Sequence, residues 1–216
     1  MMAKYHYYLF DLDGTITDSE MGITNSVKHA LKKYGIEETD QDKLRKFVGP
    51  PLADSFMKYY GFTKEQAQKG IEYYREYYTN GGMFENEVYD GIPELLQKLK
   101  DAGKVLIVAT SKPELFAKQI LDHFDLSKYF DCIAGASMDE SRVNKDEVIA
   151  YALDLYGVSE HKKEMVMIGD REHDIFGAKK NDLDSIGVLF GFGDLNELKA
   201  AGADYIVEHP LEIFDI

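Results

Sequence analysis

Short apolar runs alternating with amphipathic helix patterns constrain this chain more than any other feature. The runs are YHYYLF at 5–10, VLIVAT at 105–110, MVMIGD at 165–170, SIGVLF at 185–190 and DYIVE at 204–208. Most show no polar/apolar alternation, as a strand covered on both faces requires. Between them, GIPELLQKLKDAG carries Pro93 near its start and Gly103 at its end, a start and a stop signal for a helix. KPELFAKQILDHF repeats the device with Pro113 and sets Phe116, Ile120 and Phe124 on one face. NKDEVIAYALDLYG does the same with Val148, Ala152 and Leu155. Strand–helix alternation predicts an α/β fold with a Rossmann-like parallel sheet.

Residues 16–84 break that alternation. Thr17 and Glu20 make a capping-box pattern, followed by a stripe of Ile23, Val27, Ala30, Leu31 and Tyr34. A second box, Thr63 with Gln66, precedes Ala67, Ile71, Tyr74 and Tyr78, and NGG at 80–82 stops the helix. No strong strand is expected there. The segment is also electrically distinct: it holds 10 Lys+Arg and 10 Asp+Glu, so the whole formal charge of −14 lies outside it. The expected organisation is an α/β core from 1–15 and 85–216 with an all-helical insertion at 16–84, hinged near Thr15–Asp18 and Gly81–Gly91.

Bulk properties exclude several classes. An acidic chain lacks the basic face that nucleic-acid phosphates need. No apolar run approaches the roughly 18 residues of a membrane helix, and the N-terminus does not read as a signal peptide. One cysteine, Cys132, rules out an intrachain disulfide framework and a cysteine-based zinc site. It is expected to be a small core residue, and the chain to be cytoplasmic. Oligomeric state is not readable.

In an open parallel sheet, ligands bind beyond the carboxyl ends of the strands. Here the first strand ends in Asp11-Leu12-Asp13, the second in Thr110-Ser111-Lys112 and the third in Gly169-Asp170, followed by Asp174. Each alone is ordinary: a solvated loop, a helix start, a turn with its cap. Together they put carboxylates, a hydroxyl and a cation at one rim. Clustered carboxylates resist ionising together unless a cation joins them. Oxygen ligands without His or Cys suit Mg2+, which uses one or two carboxylates together with a substrate phosphate. A carboxylate left free can act as a nucleophile toward phosphorus, and a second group must then move the proton.

These residues resemble the haloacid dehalogenase (HAD) superfamily of phosphohydrolases along essentially the whole chain. The first motif, D-x-D-G-T, stands as Asp11-Leu12-Asp13-Gly14-Thr15. The second matches Thr110, the third Lys145 in SRVNK, and the fourth Asp170 and Asp174 in GDREHD. Arg142 or Lys112 stands as the alternative third-motif residue. The resemblance implies that Asp11 is nucleophile and Mg2+ ligand, and that Asp13 is general acid/base and gives its carbonyl to the metal. It implies that Thr110 and Lys145 hold the phosphoryl group, with the backbone amides of Ser111 and Lys112 beside it. Asp170 is then a metal ligand, and Asp174 a metal ligand or the group that positions Lys145. Gly14 is expected where backbone approaches the phosphoryl group.

The helical insertion sits where one subclass carries its cap. KFVGPPL at 46–52 is similar to the substrate-facing loop of phosphoglycolate-phosphatase-like members, which makes Arg45 and Lys46 candidates for a second anionic group. Tyr73, Tyr74, Tyr77 and Tyr78 are expected as cap core. None of the six histidines shows ligand spacing, and only His173 lies inside a motif. The implied activity is Mg2+-dependent hydrolysis of small phosphate monoesters, phosphoglycolate-like acids or nucleoside 5'-monophosphates, through an aspartyl-phosphate. Alternatives are a phosphomutase or a catalytically silent Mg2+-binding module. Asp13 favours phosphoryl transfer over carbon–halogen cleavage, which has no leaving alkoxide to protonate.

Overall fold

A computed structural model describes residues 4–139 and 141–216. In chain order the elements are β1 (Tyr7–Phe10), β2 (Thr17–Asp18), α1 (Glu20–Lys33), α2 (Gln41–Arg45), α3 (Leu52–Tyr60), α4 (Lys64–Tyr78), β3 (Glu87–Val88), α5 (Ile92–Asp101), β4 (Val105–Pro113), α6 (Glu114–His123), β5 (Cys132–Ala136), α7 (Lys145–Tyr156), β6 (Met165–Gly169), α8 (Glu172–Lys180), β7 (Asp184–Val188), α9 (Leu195–Ala201) and β8 (Tyr205–Val207). The chain divides into two compact units, Met1–Thr17 with Val88–Ile216, and Asp18–Glu87.

The larger unit is built on a six-stranded sheet in the order β5-β4-β1-β6-β7-β8. Every neighbouring pair is parallel. Leu9 of β1 stands opposite Ile107 of β4 and Met167 of β6. One face of these three strands, with Leu9, Ile107, Ala109 and Met167, packs on Val148, Ile149, Ala152 and Leu153 of α7. Tyr8, Phe10, Leu106, Val108, Val166 and Ile168, which point the other way, are buried too. Burial on both faces explains why the strands read as apolar runs rather than alternations. The parallel register also brings the ends of β1, β4 and β6 to one rim.

Four of the five sequence-derived strands coincide with β1, β4, β6 and β7, within two residues except that β4 runs three residues further, to Pro113, and DYIVE contains β8. The edge strand β5 was missed. Its sequence, CIAGA, has one β-branched residue and a glycine, so neither propensity nor hydrophobicity marks it; pairing to β4 makes it a strand. Its pairing is irregular. Thr110 faces Gly135 and Pro113 faces Ala136, so Ser111 and Lys112 bulge out of β4.

The smaller unit is helical, with α4 packed against both α1 and α3. Its core is aromatic: Phe56 lies 5.1 Å from Phe47 and 5.5 Å from Phe62 between ring centroids. Tyr74 and Tyr78 stack at 5.2 Å and are buried, as expected of cap core. Tyr77 is only partly buried and donates to Glu85 Oε1 at 2.6 Å. The Thr63–Gln66 capping box forms in both directions. The Thr17–Glu20 box does not. Helix α1 begins at Glu20 with Ser19 at its N-cap, so Thr17 in β2 lies two residues before the capping position, and the Asp18 carboxylate instead accepts from the Glu20 amide at 3.0 Å. Short strands exist after all at the crossings between the units, where β2 pairs with β3.

Two substitutions separate packing from capping in the helical unit. Phe56→Ala should cost about 3–5 kcal/mol, because it empties a ring-lined core position. Thr63→Ala should cost about 1 kcal/mol, because it removes only the cap acceptor. Denaturant unfolding followed by hydrogen exchange in α3 and α4 checks the ranking, and equal losses would contradict it.

Candidate active site

The sequence-derived acids and their cations meet at the rim formed by β1, β4 and β6. Lys145 opens α7, with Asn144 and Glu147 forming its capping box. Its side chain, 4% exposed, places Nζ 2.8 Å from Asp11 Oδ1 and 2.8 Å from Asp174 Oδ1. It also donates to the Ala109 carbonyl at 3.3 Å. Asp11 Oδ1 accepts in addition from the Leu12 amide at 2.8 Å. Asp174 Oδ2 accepts from the Arg171 amide at 3.0 Å, whereas its Oδ1 has the ion pair with Lys145 but no hydrogen bond among the described residues. Burial by itself would depress the Lys145 ammonium, but the charges of Asp11 and Asp174 outweigh it and raise Lys145 above the ordinary lysine range.

Asp170 is fully buried. Its Oδ2 accepts from the Phe192 amide at 2.8 Å. Its Oδ1 has no hydrogen-bond partner among the described residues. Burial, then the charges of Asp174 and Asp11, lift its carboxyl well above the usual range. Burial also raises Asp174, with Lys145 opposing. One oxygen from each of Asp11, Asp170 and Asp174 lies within 4.8 Å of the others. Three converging buried carboxylates, two of them (Asp170 and Asp174) with an Oδ1 that accepts no hydrogen bond among the described residues, are suited to a cation with hard oxygen ligands.

Thr110 is buried, and its Oγ1 accepts from the Lys112 amide at 3.2 Å. The Lys112 ammonium goes elsewhere, to Asp13 Oδ2 at 2.7 Å. Ser111 is partly exposed within the bulge. Of the three candidates for the third motif, Lys145 reaches Asp11 and Asp174, Lys112 pairs with Asp13, and Arg142 turns away. Arg142 donates from Nε to the Gly135 carbonyl at 3.1 Å and lies 3.6 Å over the Tyr151 ring. Arg45 and Lys46 belong to the helical unit. There Arg45 pairs with Glu20 at 2.8 Å and Asp42 at 3.3 Å, and Lys46 lies 5.7 Å over the Tyr59 ring. His173 is exposed on α8. Cys132 is half-buried against the sheet core, and burial pushes its thiol up.

The backbone around Asp170 was not legible in the sequence. Gly14 has φ +81°, and a Cβ there would stand 2.3 Å from Asp170 Oδ2. The close approach at Gly14 is thus to a carboxylate of the protein itself. A Cβ on Gly193 would stand 1.9 Å from the Asp170 carbonyl. Arg171 and the Glu172 amide both donate to Glu197 Oε1, at 2.8 and 2.9 Å, tying the start of α8 to α9. The GFG run at 191–193 was the available signal, but it lies outside the strand–helix pattern.

The comparisons with known proteins agree with this geometry. The haloacid dehalogenase-like hydrolase model matches residues 8–188, and the chain belongs to that family. A 5'-nucleotidase from Pseudomonas aeruginosa is 47% identical over 198 residues, covering 91% of this chain and 88% of that one. Tyrosine-protein kinase PtkA from Mycobacterium tuberculosis is 42% identical over 186 residues, which span 86% of this chain and 62% of PtkA. The crystal structure of a predicted phosphatase from Clostridium acetobutylicum is 55% identical and superposes with a TM-score of 0.93 over 98% of this chain and 97% of that one. The protein is an enzyme of the phosphoric monoester hydrolase type. No helix among the described residues is long and apolar enough to cross a membrane.

The raised carboxyl of Asp170 has a stability consequence with a defined sign. The native state keeps a proton that the unfolded state releases near pH 4. Native protein therefore binds more protons above that pH, and stability falls as pH rises through the raised native value. Asp170→Asn removes this penalty. In EDTA at neutral pH the variant should melt above the parent, with the gap closing below about pH 4. A variant that melts lower at neutral pH would contradict the assignment.

Proposed function

We propose that the enzyme hydrolyses small phosphate monoesters with Mg2+ through a phosphoryl group carried on Asp11. The observation that carries the proposal is the buried ion cluster in which Lys145 bridges Asp11 and Asp174 beside Asp170. Asp11 attacks phosphorus from the end of β1. Lys145 draws negative charge from Asp11 and from the transferring oxygens, and Thr110 offers its hydroxyl to the same oxygens. The backbone amides of Ser111 and Lys112 flank them. Asp13 protonates the leaving oxygen and then takes a proton from the water that releases phosphate.

Asp11, Asp170 and the Asp13 carbonyl would hold the Mg2+. Bound there, it supplies positive charge for the phosphoryl oxygens and lets neighbouring carboxylates stay ionised. Asp174, with Oδ2 on the Arg171 amide and Oδ1 paired with Lys145, is assigned the holding of Lys145, and its Oδ1 remains available to the metal. The helical unit is assigned the role of a cap that selects substrate and excludes water, with Arg45 and Lys46 available to a second anionic group.

Nucleoside 5'-monophosphates are the favoured substrates, because the relative named 5'-nucleotidase matches along most of both chains. Phosphoglycolate-like acids are the second candidate, supported by KFVGPPL. A panel of phosphate monoesters assayed with Mg2+ decides between them. Phosphate release from nucleoside 5'-monophosphates is the expected result. Preferred turnover of phosphoglycolate would move the substrate, and release from neither would sink the proposal. EDTA should abolish turnover and added Mg2+ should restore it. Asp11→Asn should lower kcat by about 10^4-fold or more, since the covalent route is then closed. Retention of most activity by that variant would exclude the covalent route.

A further inference from the structure

The geometry points to Lys112 as a positioning residue for Asp13, holding one carboxylate oxygen so that the other exchanges the proton. The inference deepens the proposed phosphoryl transfer and rests on it. Lys112 Nζ lies 2.7 Å from Asp13 Oδ2, with the two side chains 5% and 10% exposed. Asp13 Oδ1 is also buried but has no hydrogen-bond partner among the described residues. The carboxylate is therefore anchored at one oxygen and open at the other. A buried pair of this kind is costly to break, because the remaining charge loses its partner.

The chain has a local device that aims Lys112. Ser111 and Lys112 are the extra residues of the β4 bulge, between the Thr110–Gly135 and Pro113–Ala136 pairs. A bulge departs from strand alternation and re-aims a side chain. Two contacts fix it. The Lys112 amide donates to Thr110 Oγ1 at 3.2 Å. On the opposite strand, a Cβ on Gly135 would stand 2.7 Å from the Lys112 carbonyl oxygen and 2.6 Å from Glu114 Cα. Only a glycine lets β4 lie that close. Lys112 thus joins the second motif to the first, through its backbone to Thr110 and its side chain to Asp13. The two buried lysines divide the work: Lys145 serves Asp11 and Asp174, and Lys112 serves Asp13.

In the first half-reaction an Asp11 carboxylate oxygen bonds to phosphorus as the P–O bond of the ester breaks, and the electron pair of that bond stays on the leaving oxygen. That oxygen takes the proton from Asp13, and the resulting carboxylate keeps its Lys112 partner. In the second half-reaction a water oxygen attacks phosphorus and Asp13 takes its proton. The bond from phosphorus to Asp11 breaks, returning the Asp11 carboxylate. Lys112 keeps an N–H on Oδ2 throughout, and only Oδ1 carries the proton.

The experiment compares two leaving groups in the full chain with Mg2+. p-Nitrophenol departs without a proton, whereas a nucleoside 5'-hydroxyl needs one. Lys112→Met should reduce kcat on a nucleoside 5'-monophosphate at least about tenfold more than on p-nitrophenyl phosphate, as loss of general acid catalysis requires. KM should change less than kcat, and Lys112→Arg should recover most of the loss. Gly135→Ala keeps every charge but displaces the bulge, and should show the same selective loss if Lys112→Met does not fold. Equal losses on both substrates, or losses mainly in KM, would overturn the role of Lys112 while Asp13→Asn still discriminated between them. If Asp13→Asn showed no discrimination, the proton-transfer role of Asp13 would fall, and this inference with it.

Discussion

One buried ammonium organises the acidic cluster at the sheet rim. Lys145, 4% exposed, sits 2.8 Å from both Asp11 and Asp174, and Asp170 completes a triad whose oxygens lie within 4.8 Å. Without that charge, three carboxylates would face one another in a low-dielectric rim and could not ionise together. One lysine does not neutralise three acids, which leaves the centre short of positive charge. A cation held by Asp11 and Asp170 would supply the missing charge. Burial and this crowding of charge together lift the Asp170 carboxyl above its usual range.

The sheet makes this arrangement possible by register. Leu9 faces Ile107 and Met167, so the ends of β1, β4 and β6 arrive level at the rim. Close backbone packing then sets the individual acids. Gly14 and Gly193 let neighbouring segments press on Asp170, and the Phe192 amide takes one of its oxygens. Glu197 secures the start of α8 through Arg171 and the Glu172 amide. These contacts hold Asp170 and Asp174 from outside the motifs that name them, as outer partners commonly do for ligating carboxylates.

Much of this was legible in the sequence because it follows from local pattern. Apolar runs without alternation gave the buried strands, and Pro93, Gly103 and Pro113 gave helix ends. Acids, a hydroxyl and a cation at three strand ends point to phosphate chemistry from spacing alone. What escaped depends on tertiary contact. CIAGA becomes β5 only by pairing with β4, and Thr17 has no capping role because α1 starts at Glu20, past the position the pattern required. The partner of each lysine was likewise invisible. Spacing could not say that Lys112 would turn to Asp13 while Lys145, opening α7, reached Asp11. A bulge set by Gly135 decides the first, and helix placement decides the second.

The central claim is that Asp11 carries the phosphoryl group. It is tested most directly by rapid acid quench during turnover of a substrate with a radiolabelled phosphate, followed by mapping of the labelled peptide. The account predicts an acid-stable, hydroxylamine-labile label on the peptide containing Asp11, absent from Asp11→Asn. Turnover without any protein-bound label on that timescale, or label persisting in Asp11→Asn, would contradict it.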